Sequence, residues 1–356
     1  MLNIVLAILV FGLIVLIHEF GHFLLAKMNG IGVVEFSIGM GPRIVSIQKG
    51  ETRYSIKALP FGGSCMMLGE DENESDPKAF NNKPVWGRIS VIFAGPFFNF
   101  VLAFLFAMVI TVNIGRDTPY VYGVTEGLPA SQTDIRQGDK IVKMNNQKIS
   151  TYRDVLLYTM SHAGEEITVT YQRAADGDWK SGGRYEEKTA VLKPEYSEEQ
   201  NSYVIGLQFY NAYEKPKGIG EVLTFSAYEI DYCIRSTFES LKMLFSRQVA
   251  VGEAVAGPVK IVSMIGGSVG ESREIGVPTM LLTLSYWCLI LSASLGIMNL
   301  LPIPALDGGR LVFLFIELIR GKPIDREKEG MVHMAGLACL MVLMVFVLFN
   351  DIRSFF

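Results

Sequence analysis

Leu16-Ile17-His18-Glu19-Phe20-Gly21-His22-Phe23-Leu24 sets two imidazoles and a carboxylate inside an apolar run that extends over residues 4–27. About 20 apolar residues cross a bilayer core as a helix, so the run is long enough only if the polar interruption is included. Ionisable groups at membrane depth are costly and usually functional. On a helix, His18 and His22 stand four apart on one face and can reach a single ion. Glu19, one position on, can reach water at that ion and act as general base, the reading that H-E-x-x-H invites. Zinc suits these donors, and a catalytic zinc keeps one tetrahedral position open. A cleaved leader is disfavoured, because no basic segment and no small-residue cleavage site accompany the run.

The rest of the chain agrees with a membrane protein. Of its 356 residues 50% are hydrophobic and 19% charged, where about 25% charged is usual for soluble domains. Mean hydropathy is positive. Three further apolar runs, residues 89–114, 280–301 and 331–349, suit spanning helices. The connection between the first two spans carries Lys27, Arg43, Lys49, Arg53, Lys57, Lys78, Lys83 and Arg88, and that between the last two carries Arg320, Lys322, Arg326 and Lys328. The bias of basic residues to cytoplasmic loops places both connections inside, with both termini and residues 115–278 outside. No basic cluster points to nucleic acid. The four cysteines show no CxxC spacing and read as unpaired thiols.

Two histidines need a third protein ligand. Asp307 is the strongest candidate, in Asn299-Leu300-Leu301-Pro302-Ile303-Pro304-Ala305-Leu306-Asp307-Gly308-Gly309. Two prolines break the helix as this stretch leaves the third span. Irregular backbone at membrane depth is tolerated only where it is buried in protein or lines a cavity. His162, in the soluble segment, and His333, at the start of the last span, read as structural.

Together these motifs resemble the site-2 protease family of intramembrane zinc metalloproteases. HEFGH lies in the first span, Asn-x-x-Pro-x-Pro-x-Leu-Asp-Gly follows the third, and Ala94-Gly95-Pro96-Phe97-Phe98-Asn99 in the second resembles the family's Gly-Pro-x-x-Asn. Nearly the whole chain is covered, and it is most similar to the bacterial RseP-like branch with one PDZ domain. The resemblance implies regulated intramembrane proteolysis of transmembrane substrates, such as anti-sigma factors or signal-peptide remnants. His18, His22 and Asp307 match the zinc ligands and Glu19 the catalytic acid. Asn299, Pro302 and Pro304 match positions that handle substrate, and Asn99 matches a motif residue without an assigned role. After Pro60-Phe61-Gly62-Gly63 come Ser64 and Cys65, where the family has an aromatic and an aliphatic residue. This departure touches substrate contacts, not the chemistry.

The expected fold is therefore an α-helical polytopic membrane protein of four spans, with a membrane-associated β-hairpin and an α+β PDZ domain. Residues 1–114 hold the first two spans with the hairpin loop at 28–85, and 117–212 the extracytoplasmic PDZ domain. Residues 213–278 form a linker with an amphipathic helix, and 279–356 the last two spans with the Asp-Gly motif. In the hairpin, Thr52, Tyr54 and Ile56 alternate with Arg53, Ser55 and Lys57 beyond a Lys49-Gly50 turn, a strand period. A helical substrate must be held extended, and an exposed strand edge can do this by strand addition. The edge at 54–58, with Tyr54 and Ile56, is the expected substrate contact. The PDZ domain, marked by Gly138-Asp139 and a polar, glycine-rich loop at 174–188, can bind a peptide C-terminus or act as a size filter. Residues 219–245 have helical periodicity, suiting an amphipathic helix on the outer membrane face or an ordinary packed helix. The acidic run 70–74 reads as a solvated loop. The rival function is a non-catalytic membrane PDZ adaptor, against which the intact ligand set and Glu19 argue.

Overall fold

The first apolar run becomes α1 (Leu2–Met28), carrying the two histidines in its second half. A computed structural model of the chain describes residues 2–70, 74–175, 184–246 and 256–353. The centre of the acidic run (71–73) and most of the glycine-rich loop (176–183) lie outside the described residues. Contacts divide the chain into two units, residues 1–109, 229–237 and 247–356 in one and 110–228 and 238–246 in the other.

In the first unit, α1 is followed by two long strands, β1 (Val33–Lys49) and β2 (Thr52–Met67), and by α2 (Val85–Asn113) with Pro96 inside it. The strands turn at Gly50, which has φ +63, a value glycine adopts without a Cβ clash. Among the described residues four helices are long and apolar enough to span a membrane: Ile4–Met28, Val85–Asn113, Val277–Leu300 and Glu327–Arg353. Lipid gives helices little hydrophobic reason to associate, so close packing through small residues does that work. A Cβ on Gly21 of α1 would stand 2.5 Å from the Ala94 carbonyl oxygen of α2.

Registers in the β1–β2 pairing revise the expected substrate edge. Phe36 lies opposite both Tyr54 and Cys65, Ser37 opposite Ser55 and Ser64, and Ile38 opposite Ile56 and Gly63. Tyr54 and Ile56 also face Ile47 and Val45. The strand bearing Tyr54 and Ile56 is thus interior, with neighbours on both sides. The hairpin at 43–57 alone would leave its 54–58 side open, but residues 35–38, one strand earlier, occupy it. The open edges belong to residues 43–49 and 63–67. Glu35 is buried between these strands and accepts from Arg43 Nε at 2.6 Å, Arg43 Nη2 at 3.0 Å and Ser55 Oγ at 2.6 Å. The Arg43 bond, opposed by burial and aided by Ser55 and Lys57, pulls its pKa from 4.5 to about 2.

The second unit is β-rich. It holds β3 (Arg116–Asp117), β4 (Val121–Val124), β5 (Lys140–Met144), β6 (Gln147–Lys148), α3 (Tyr152–Ser161), β7 (Ile167–Ala174), β8 (Tyr185–Leu192), β9 (Glu195–Ser197), β10 (Ser202–Val204), β11 (Leu207–Phe209) and β12 (Tyr213–Glu214). A four-stranded sheet in the order β6-β5-β7-β8 forms its centre. Val121, Ile141, Met144, Val155, Ile167 and Tyr171 build a core between this sheet and α3. Thr151 and Asp154 cap α3 reciprocally, satisfying donors that a helix start leaves free. Asp139 of the Gly-Asp pair is buried and accepts from Arg173 Nε and Nη2, each at 2.8 Å.

The remaining helices are α4 (Ile219–Phe245), α5 (Pro258–Ile275), α6 (Val277–Leu300), α7 (Asp307–Arg320) and α8 (Arg326–Arg353). α5 packs Ile265 and Val269 against Ala7 of α1. Asp351, near the end of α8, accepts from the amides of Gly257 and Lys260 and so caps the start of α5.

Glu35→Gln should loosen the sheet. A hydrogen bond to a charged group contributes about 2 kcal/mol, so amide exchange over residues 53–57 should speed up roughly thirtyfold. The folded pKa is depressed, so this stability is fully present above about pH 4.5 and lost as pH falls towards 2. The difference between wild type and variant should therefore stay constant from pH 5 to 8 by hydrogen-exchange mass spectrometry.

Candidate metal centre

α1 brings His18 and His22 to one face, and the start of α7 brings Asp307 to meet them. His18 Nε2 and His22 Nε2 are 3.2 Å apart. Asp307 Oδ2 lies 3.2 Å from the first and 3.4 Å from the second. Donors held about 2.1 Å from one ion at tetrahedral angles stand about 3.4 Å apart, so this triangle has the dimensions of one tetrahedral face. Asp307 Oδ2 is buried and has no hydrogen-bond donor, a state that is expensive unless a cation meets it. Among the described residues, this is the one group of three His, Cys, Asp or Glu side chains close enough to share an ion.

α2 brackets the imidazoles from behind. His22 Nδ1 donates to the Val91 carbonyl at 2.9 Å, which leaves the Nε2 lone pair for a metal. His18 Nδ1 lies 3.1 Å from the fully buried side-chain amide of Asn99, whose Oδ1 has no other partner. A half-turn of that amide sets Oδ1 against Nδ1 and lets the imidazole donate. Asn99 then fixes the tautomer of His18, as Val91 fixes that of His22. Between them, Gly95 leaves the space the rings occupy: a Cβ there would stand 2.3 Å from His22 Nε2 and 2.8 Å from His18 Cε1.

Glu19 points instead to the sheet. Its Oε2 accepts the backbone N–H of Cys65 at 2.9 Å, and a Cβ on Gly63 would come within 3.1 Å of its Cγ. Burial, and then the Glu19 charge, push the Cys65 thiol up to about 12. It stays protonated and offers no thiolate to the metal. The departure at Ser64 and Cys65 thus sits beside the Glu19 carboxylate.

Asp307 is delivered by an irregular loop. Gly308 and Gly309 press against the carbonyls of Leu300, Leu301 and Ile303, closer than any Cβ permits. Arg310, one turn past Asp307, pairs with Glu70 at the end of the β2 exit, and Arg88 of α2 grips Glu317 of α7 at 2.5 Å and 3.1 Å. These pairs line a cavity of about 150 Å³ with Phe313 and His333. Asn299 ends α6 half-buried, Pro302 is exposed, and Pro304 is half-buried in the loop. The sequence points to the four central residues and to the motif that holds Gly95 and Asn99, but not to the Val91 carbonyl or the Cys65 amide. A backbone carbonyl and amide leave no trace in a sequence, whereas the Gly-Pro pair is a usable signal.

The model of peptidase family M50 matches residues 6–343. A Clostridium acetobutylicum relative assigned as a zinc metalloprotease is 39% identical over 98% of this chain and 97% of its own. The regulator of sigma-W protease RasP of Bacillus subtilis is 30% identical over 98% of both chains. The solved PDZ domain of an SdrC-like protein from Listeria monocytogenes is similar over 28% of this chain and 95% of its own, with 19% identity and a TM-score of 0.21.

Gly95→Ala should abolish zinc binding, because the methyl group occupies the ring positions. Asn99→Ala should weaken zinc about 10–100-fold, the usual effect of losing an outer hydrogen bond to a ligand. Metal analysis and chelator competition on purified protein check both.

Proposed function

The chain belongs to peptidase family M50, intramembrane zinc metalloproteases of the site-2 type, and from that premise we propose how its residues divide the work. His18, His22 and Asp307 hold the zinc. When bound, the ion supplies a Lewis acid for the scissile carbonyl and lowers the pKa of water at it. Glu19 takes the proton from the attacking water and passes it to the leaving amine. The Cys65 N–H, on Oε2, orients the carboxylate and leaves Oε1 to move that proton. The observation that carries this reading is the triangle of three donors beside Glu19.

The substrate is proposed to enter as an added strand on the 63–67 edge instead of the 54–58 side. Cys65 points its amide from this edge at Glu19, so a strand added here brings its own backbone to the carboxylate. Asn299, Pro302 and Pro304 are proposed to handle substrate on the strength of the motif that they match. Met40, Ile44, Val45, Ile47, Ile56 and Leu59 are all exposed on the sheet; an apolar patch of this kind suits the bilayer, so the hairpin is membrane-associated. Basic loops put the sheet and the metal end in the cytoplasm and the β-rich unit, with both termini, outside.

The β-rich unit is read as a PDZ domain. A groove of about 290 Å³ between α3 and residues 202–209 is lined by Leu156, Met160, Tyr203, Ile205 and Leu207. It suits an extended peptide end with an apolar side chain. The substrate class is then a membrane protein trimmed outside the cell. Membrane-bound regulators of sigma factors are proposed as members of this class, the Bacillus relative being named a regulator of sigma-W protease.

Wild-type protein in detergent should cleave a tagged transmembrane segment, and Glu19→Gln should lose at least a thousandfold in rate while keeping one zinc per chain. Glu19→Gln with full turnover would sink the assignment. Cys65→Pro, which removes the amide on the proposed edge, should cut cleavage at least tenfold with zinc retained; unchanged cleavage would move the substrate elsewhere.

A further inference from the structure

α8 exposes most of its side chains, Met331, Met334, Val342 and Val345 among them. At two positions three apart, on one helical face, it nonetheless meets the loop that delivers Asp307. Gly336 lies against Pro304, so close that a Cβ would stand 2.5 Å from the proline Cβ. His333 Nδ1 accepts the Ala305 N–H at 2.9 Å. Ala305 has φ +77, in the left-handed region that a residue with a Cβ occupies only when its surroundings hold it there. It stands two residues before Asp307.

A backbone N–H can only donate, so Nδ1 must carry the lone pair and Nε2 the proton. Nε2 lies 3.9 Å from Glu329 Oε1, one turn back on the same helix, which favours that tautomer. The ring is steadied by Phe313 of α7, whose centroid is 5.4 Å away. Every constraint on the imidazole therefore aims one acceptor at one strained amide.

We infer that His333 is a positioning residue for the metal centre: its Nδ1 holds Ala305 in the left-handed conformation from which Asp307 starts α7 with Oδ2 between His18 and His22. It touches neither metal nor substrate. Without the acceptor, Ala305 relaxes to negative φ, the loop shortens its turn differently, and Asp307 is no longer held against the two imidazoles. The inference rests on the metal reading above.

The test separates the acceptor from the bulk of the ring. In Asn, Oδ1 is as many bonds from Cα as imidazole Nδ1, whereas Gln carries its oxygen where Nε2 lies. Zinc release from purified protein into a colorimetric chelator is the readout, with cleavage of the tagged transmembrane segment alongside. His333→Leu and His333→Gln should release zinc about 10–100-fold faster than wild type, and His333→Asn within about threefold of it. Adding Ala305→Gly to His333→Leu, which removes the cost of positive φ, should restore most of the zinc retention. If His333→Leu does not fold, the Gln and Asn variants decide. Equal release from Gln and Asn, or wild-type retention by Leu, would overturn the inference. Wild-type protein that holds no zinc would overturn the metal reading and with it the role of His333, whereas zinc in the wild type with equal release from the Gln and Asn variants would overturn the role of His333 alone.

Discussion

A carboxylate and two imidazoles facing one another in an apolar surrounding repay their desolvation only when a cation binds between them, and much of the membrane unit can be understood as serving that contact. His18 and His22 share a face because they are four apart on α1. Asp307 comes from the far end of the chain, so α7 must be carried to α1 and held there. Gly21 and Gly95 let α1 and α2 approach until Val91 and Asn99 reach the imidazoles. The Arg88–Glu317 pair ties α2 to α7, and Arg310–Glu70 ties α7 to the exit of the sheet. Each pair links the helix bearing Asp307 to an element that already contacts α1, at the imidazoles for α2 and at Glu19 for the sheet.

The irregular loop before Asp307 follows from the same demand. Pro302 and Pro304 prevent α6 from running on as helix into α7. Broken backbone leaves carbonyls and amides that lipid cannot satisfy. Here they are met within the loop, where Ile303 and Leu306 donate to Leu301 and Ile303, and by His333. Glycines at 308, 309 and 336 then let the neighbouring segments close over the loop without space between.

Local spacing makes the centre legible from the residues alone. H-E-x-x-H sets two candidate ligands and a candidate base by helical geometry, and an aspartate after a proline-broken span stands out by its cost. The spans are legible from length and apolarity, and α4 from its periodicity. The start of the exit helix α7 is not, because Gly308 and Gly309 in its first turn are poor helix formers. The sheet reads as one hairpin although Val34-Glu35-Phe36-Ser37-Ile38-Gly39-Met40 does alternate apolar and polar residues, because nothing local to that stretch says that it pairs with both 54–56 and 63–65. That hidden strand is what places Tyr54 and Ile56 on an open edge in the sequence and in an interior strand in the structure. Long-range pairings such as Ala305 with His333 have no local signature.

Under the proposal that substrate adds to the 63–67 edge and Glu19 is the base, the revised edge changes how substrate and catalysis meet. Strands offer amides alternately to either side, and on the 63–67 segment the amide of Cys65 points away from residues 35–38 to Glu19. An added substrate strand seeks that same donor. If it takes the amide, Glu19 is released when substrate is seated; if Glu19 keeps it, the substrate pairs on either side and its scissile bond is left beside the carboxylate. Both arrangements put the extended peptide and the base in register through one backbone group. Gly63, in contact with the Glu19 side chain, then keeps the approach clear of a Cβ. A hydrogen bond from main chain, unlike one from a side chain, cannot swing away, so the geometry of proton transfer is fixed by the same strand that straightens the substrate.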